Sequence, residues 1–235
     1  MPNKRTFFAI ASTICLALAV SVFARADTVT VTGSVWINDP TGAGDATLAN
    51  VPTTTPDVTF QVLTSTNLEF SSYFGAGSCG ITCGNPSASY TVGSFLTSAD
   101  PAASSIVENT PGALASTLDN TIFLLSAIVN ITNGEVFAVG HDDGASFYVD
   151  GVAIPGISPG PTGYVLTDIT YTGPTENGAM LQMVYGECCG APAVFVTNLP
   201  TGGGTGLTPE PASLMLFGSG LLGLMRVVRK RRSKP

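Results

Sequence analysis

The central part of the chain, residues 27–208, consists of short runs of β-branched and aromatic residues interrupted by Gly, Pro, Asn, Asp and Thr. Helical periodicity is nearly absent there, whereas the run 58–62 alternates apolar and polar residues as a half-buried strand does. Many short strands at this spacing predict an all-β fold, an antiparallel β-sandwich. Residues 27–200 are numerous enough for one such ectodomain with a substantial core.

The predicted strands occupy the runs in which apolar residues alternate or cluster between turn residues. They are 28–37, 58–62, 68–73, 90–96, 122–131, 135–139, 145–149, 164–171, 179–185 and 194–197. Small and polar residues predict a loop over 97–120, with one helical turn at 104–108.

The N-terminus has the three parts of a secretory signal peptide. Lys4 and Arg5 precede a mostly apolar stretch, 7–22, and an A-x-A pattern ends at Ala26. This order predicts a signal peptide over 1–26, with cleavage between Ala26 and Asp27. The chain is therefore expected to be exported across the inner membrane.

The C-terminus has a second targeting pattern, in which Pro209, Glu210 and Pro211 precede an apolar run and a basic cluster. The run 212–225 would span about 21 Å as a helix, less than the ~30 Å hydrocarbon core of a bilayer. Snorkelling of Arg226 extends the predicted transmembrane helix to 212–228, with the cations on the cytoplasmic side. The Gly-rich stretch 201–208 is expected to be a flexible linker.

This three-part tail, 209–235, resembles the PEP-CTERM sorting tail of Gram-negative bacteria. The resemblance implies recognition by an exosortase-type membrane protease, a transient membrane anchor, and a final location at the cell surface or in the extracellular matrix. An ordinary C-terminal membrane anchor is the alternative reading of the same residues.

Charge is partitioned sharply along the chain. All nine Lys and Arg residues lie outside 27–211, and all sixteen Asp and Glu residues lie inside it. The whole chain has a formal net charge of −7, but residues 27–211 alone carry −16, because they contain sixteen Asp and Glu residues and no Lys or Arg. Nucleic-acid binding is excluded as a function, because affinity for phosphate comes from Lys and Arg.

Four cysteines follow the signal peptide: Cys79, Cys83, Cys188 and Cys189. An even number in an exported chain indicates disulfides. Because adjacent cysteines bond to each other only with strain, we expect Cys188 and Cys189 to pair with Cys79 and Cys83. Zinc binding is the alternative, but this spacing is poor for a tetrahedral site.

The segment 133–151 reads as a turn, a strand, an acidic Gly turn, a second strand and an Asp-Gly turn. It resembles the signature hairpin of the PA14 family, in which an apolar strand leads into Asp-Asp-Gly. Residues 183–187 stand where that family tends to have an aromatic residue and an acid. The resemblance implies a PA14-like β-sandwich.

In the lectin-like branch of that family, adjacent aspartates hold a calcium ion that also binds sugar hydroxyls. By this resemblance, Asp142 and Asp143 would be the metal ligands and the ligand-binding residues, with Ca²⁺ as cofactor and an extracellular polysaccharide as partner. An amide from Asn130, Asn133 or Asn198 could complete the site. Alternatively, the two aspartates only shape the hairpin turn and cap backbone amides.

Composition also bears on catalysis. His141 is the sole histidine and abuts two acids, so we expect a solvated turn residue and no catalytic triad. We expect no acid to sit in an apolar pocket that would raise its pKa. The chain is thus expected not to be an enzyme, but an exported surface or matrix protein that binds glycans. A structural matrix protein without a defined ligand and a glycoside hydrolase are the alternatives.

Overall fold

A computed structural model describes residues 28–64, 67–72 and 89–200. The predicted signal peptide, the linker, the sorting signal and the transmembrane helix 212–228 lie outside these residues, as do Cys79 and Cys83. Within the described ranges, no helix has the length and apolar character needed to cross a membrane.

In the described ranges, eleven strands form two sheets in which every pairing is antiparallel. The larger sheet has the order β4-β2-β1-β5-β10-β7-β8, and the smaller has the order β3-β11-β6-β9. The strands are β1 Val29–Trp36, β2 Val58–Thr64, β3 Asn67–Ser72, β4 Ser104–Glu108, β5 Thr121–Ile131, β6 Val136–Asp142, β7 Gly144–Val149, β8 Val152–Ile154, β9 Val165–Thr170, β10 Glu176–Glu187 and β11 Ala193–Asn198. The predicted all-β antiparallel architecture is confirmed.

Alternation along each strand places its apolar residues between the sheets. In β2, Val58, Phe60 and Val62 are buried, while the intervening Thr59 and Gln61 are not. One continuous apolar cluster draws residues from both sheets, so the sheets pack face to face. Aromatic rings cross the interface, as where the rings of Tyr185 and Phe195 lie 5.4 Å apart.

Two of the predicted local structures are wrong. The predicted strand 90–96 is instead largely helix, α2, Val92–Thr97, capped by reciprocal bonds between the Thr91 and Ser94 side chains and backbone amides. Its buried residues Val92, Phe95 and Leu96 follow helical spacing, and the core accepts that face. The predicted helical turn at 104–108 is instead the edge strand β4, because it pairs with β2. The short strand β8 and the short helix α1, Pro40–Gly44, were not predicted.

Two of the connections that carry the chain from one sheet to the other lie side by side, and we call these two the corners. Asp143 links β6 of the smaller sheet to β7 of the larger. The turn 188–192 links β10 of the larger sheet to β11 of the smaller. Because β7 pairs with β10 and β6 pairs with β11, both corners occur at the same edge of the sandwich.

Candidate functional site

Glycines allow the two corners to meet the surrounding loops. Gly144 pairs with Gly186 where β7 and β10 adjoin the corners. A Cβ atom on Gly144 would lie 2.1 Å from the carbonyl oxygen of Pro159, and one on Gly186 would lie 2.7 Å from that of Ala43. The Gly after the paired aspartates is therefore required by close backbone approach, in addition to any turn preference.

Asp143 is held by the neighbouring corner. Its Oδ2 accepts hydrogen bonds from the backbone N–H groups of Cys188, at 3.0 Å, and Cys189, at 3.2 Å. The side chain is only 6% exposed. Within the described part of the chain both bonds go to Oδ2, so Oδ1 is available as a ligand atom.

His141 forms a hydrogen bond with the backbone of Asp143. Its Nδ1 lies 2.5 Å from the carbonyl oxygen of Asp143, and because a carbonyl can only accept, Nδ1 carries the proton. The side chain is 1% exposed, and this burial lowers the pKa of His141. The expectation of a solvated turn residue was wrong, because β6 continues through His141 and turns its side chain into the sandwich.

Asp142 is the second buried carboxylate, 7% exposed and joined to Asp143 by a cis peptide bond. Its pKa is raised to about 6, first by burial and then by the charge of Asp143. A backbone N–H of Tyr164 opposes this rise only in part. No Lys or Arg occurs between residues 27 and 211, so no cationic side chain of either type in that region can offset the repulsion.

A buried chain of hydroxyl and carboxyl groups lies beneath the aspartates. The Tyr185 hydroxyl donates to the carbonyl oxygen of Asp142, and it also lies 2.5 Å from Oε2 of Glu187. A phenol has one proton and the Asp142 carbonyl accepts it, so the proton shared with Glu187 must come from the carboxyl group. Tyr90 donates to Oε1 of Glu187 at 2.6 Å. Glu187 is therefore a protonated acid in this arrangement.

Electrostatics agree with that assignment. Burial is the main cause that raises the pKa of Glu187 to about 9, and the charges of Asp142 and Asp143 raise it further. The expectation that no acid sits in an apolar pocket was therefore wrong. A period-2 signal was present, since Tyr185 and Glu187 are two apart on β10 and must point to the same face.

The disulfide in the described residues differs from the predicted pairing. Cys188 is bonded to its neighbour Cys189, with their Cα atoms 3.7 Å apart. The prediction weighed only the strain of a bond between adjacent cysteines, yet the turn 188–192, in which Gly190 has φ +103°, contains that bond. The sulfurs lie near the Asp143 carboxylate, but in a disulfide they offer no thiolate for zinc.

The predicted amide ligands lie elsewhere. Asn198 bonds the backbone of Val136 and Ala138, which lie about 20 and 13 Å along β6 from Asp142 at ~3.3 Å per residue. The Nδ2 group of Asn133, in the turn before β6, donates to the carbonyl oxygens of Thr172 and Gly173, and Oδ1 of Asn130 accepts from the backbone N–H of Gly178. The structure brings Asp143 together with Cys188 and Cys189, and these side-chain hydrogen bonds of the three asparagines go to residues other than the two aspartates.

Comparisons with known proteins match the C-terminal tail and the larger part of the chain to different proteins. The PEP-CTERM protein-sorting motif matches residues 207–232, which confirms the predicted sorting tail and includes Pro209, Glu210 and Pro211. No curated protein sequence shows a significant match to the chain.

Two solved structures of PA14 domains are among those similar to this chain. A PA14 sugar-binding domain from an RTX adhesin is 18% identical, with a TM-score of 0.47, covering 72% of this chain and 88% of that one. The PA14 domain of the MpAFP antifreeze protein is 14% identical, with a TM-score of 0.40, covering 71% of this chain and 78% of that one.

Proposed function

We propose that this chain is an exported, non-catalytic protein of the cell surface or extracellular matrix, and that its sandwich binds Ca²⁺ at Asp142 and Asp143. Through that ion it binds glycans. The observation that carries the proposal is the pair of adjacent buried carboxylates, in a region of sixteen acids without one Lys or Arg. Such a pair is costly to keep ionised unless a cation joins it.

The available ligand atoms suit a hard cation. Ca²⁺ takes six to eight oxygen ligands, and the site offers the Asp142 carboxylate and Oδ1 of Asp143. Two side chains cannot fill that shell, so positions remain for water, backbone carbonyls and vicinal hydroxyl groups of a sugar. This agrees with what the hairpin resemblance of residues 133–151 implies.

Catalysis by the buried acids is disfavoured because a substrate could not reach them. A glycoside hydrolase needs a protonated acid that reaches the glycosidic oxygen. Glu187 is protonated but 0% exposed, and both of its oxygens contact tyrosine hydroxyls. His141 is equally buried and is engaged with the backbone of Asp143. We therefore assign these two residues to support of the site.

The sorting motif leads to a prediction about processing. In a host that has an exosortase-type protease, the mature protein is expected to begin at Asp27 and to lack residues 212–235. Intact-mass spectrometry of the surface fraction checks this, with a Pro209→Ala/Glu210→Ala/Pro211→Ala variant as control, which should retain the tail. Recovery of the full tail on the mature wild-type protein would contradict the sorting proposal.

Calcium is expected to stabilise the purified chain. At a concentration one hundred times Kd, a ligand that binds only the folded state adds about 2.7 kcal/mol. For a domain of this size that corresponds to a rise in Tm of about 5–10 °C. Calorimetric melting with calcium, with magnesium and with chelator is the measurement, and identical curves in all three would remove the metal site.

A glycan array on the same samples tests the second half of the proposal. Binding that requires calcium and disappears with chelator is expected. Calcium binding without any glycan signal would instead support a matrix protein whose cation has a structural role.

A further inference from the structure

The turn that follows β10 contacts Asp143 through consecutive backbone amides. The N–H groups of Cys188 and Cys189 both point at one carboxylate oxygen, Oδ2. Two successive amides converging on one acceptor form a small anion-binding concavity. The side chains of the same two residues are joined to each other, which restricts the backbone that carries those amides.

Asp143 depends on this turn for its orientation. No Lys or Arg in residues 27–211 could pair with the carboxylate, so the two amides are the donors that the described structure gives it. Charge-assisted bonds of this kind are about twice as strong as neutral ones. Groups that orient a metal ligand control affinity for the metal even though they never touch it.

We propose that the Cys188–Cys189 disulfide is a positioning element for the cation site, and that its reduction weakens cation binding. The second part, the effect on cation affinity, rests on the proposed calcium site. A dithiol reductant supplies the chemistry: the S–S bond breaks, each protein sulfur gains one electron and one proton, and the dithiol closes to a cyclic disulfide. Cys189 is exposed, so the reductant has access.

Reduction opens the turn and releases the two amides from a fixed spacing. The Asp143 carboxylate then keeps its charge but loses the orientation that the two N–H groups give to Oδ2. Thermodynamic linkage makes the effect reciprocal. If reduction weakens calcium binding by some factor, calcium must oppose reduction of the disulfide by the same factor.

Calorimetric titration of the purified chain with CaCl₂ tests the proposal. We expect the Kd for calcium to rise about tenfold or more in the Cys188→Ser/Cys189→Ser variant and in the wild type treated with dithiothreitol. The Cys79→Ser/Cys83→Ser variant is the matched control and should retain the wild-type Kd. It should also lose affinity when treated with dithiothreitol, since only the pair 188/189 remains in the exported region. An unchanged Kd after confirmed reduction of that pair would overturn the proposal.

A measurement without calcium separates this proposal from the proposed function. In ¹H–¹⁵N spectra, the amide protons of Cys188 and Cys189 should be shifted downfield by the Asp143 carboxylate. Asp143→Ala should abolish that shift, and reduction should abolish it too. Shifts that survive reduction would overturn the positioning role even if the oxidised protein binds calcium. If the oxidised protein binds no calcium while the shifts depend on the disulfide, the calcium site fails but the positioning of Asp143 stands.

Discussion

Replacement of Asp143 by Asn is expected to weaken calcium binding at least about 100-fold, equivalent to about 3 kcal/mol. The substitution removes the negative charge while keeping the size of the side chain. An amide oxygen can still accept the N–H groups of Cys188 and Cys189, so the corner should keep its conformation. Calorimetric titration with CaCl₂ and a calcium-dependent glycan array are the measurements.

The control for this variant is Asp168→Asn, on the exposed face of β9. It removes the same charge from the same acidic domain, and it should leave the Kd for calcium within about twofold of the wild type because exposed charges are screened. Equal losses in both variants would mean that overall acidity attracts calcium without a specific site. Retention of wild-type affinity in Asp143→Asn would refute the assignment of this residue as a ligand.

The second large effect concerns the stability of the calcium-free domain at alkaline pH. The pKa of Glu187 is raised from 4.5 to about 9 in the folded state, so the unfolded chain binds fewer protons than the folded chain between these values. The free energy of unfolding must then fall as pH rises, by about 1.4 kcal/mol per pH unit. Over pH 7 to 9 we expect a loss of about 2 kcal/mol, because the slope decreases as the folded pKa is approached, or about 5–9 °C in Tm.

That pH window isolates Glu187 from its neighbours. Asp142, with a pKa of about 6, has already ionised in the folded state. The pKa of His141 is lowered by burial, so His141 is neutral in both states above pH 7. Tyr90 and Tyr185 have raised pKa values and remain protonated when folded.

Glu187→Gln is the informative variant. Its amide can accept from Tyr90 and donate to Tyr185, which reproduces the hydrogen bonds of the neutral carboxyl group at every pH. Melting curves in chelator should lose their decline between pH 7 and 9 in this variant, whereas the exposed control Glu108→Gln should decline as the wild type does. A wild-type slope near zero over this range would show that Glu187 ionises at an ordinary pKa.

Local patterns predicted most of the strands but could not assign every segment. Alternation located β2 and the hairpin strands β6 and β7, because a period of two reflects one buried face. The same reasoning mistook α2 for a strand, since Val92, Phe95 and Leu96 make a short apolar run that either structure can bury. Edge strand β4 was missed because its pairing with β2 crosses more than 40 residues of chain, and its residues are mostly exposed.

The candidate site was predictable only in part. The Asp-Asp-Gly motif was enough to predict Asp142 and Asp143 as candidate ligands, since these residues are adjacent in sequence. The groups that surround them come from distant segments: Tyr90 precedes α2, and Cys188 and Cys189 follow β10. Their meeting depends on the register that pairs Gly144 with Gly186, and no local pattern carries that register.

The sequence by itself determined the sorting motif at 207–232, the confinement of every Lys and Arg to the two ends of the chain, and the β character of the region between them. These properties follow from composition and from neighbours along the chain. Tertiary structure alone decided that His141 and Glu187 are buried, that Cys188 bonds to Cys189, and that the two corners meet at Asp143. The physical reason is that burial and proximity are properties of packed sheets, so a side chain's pKa, partners and exposure are set by residues far away in sequence.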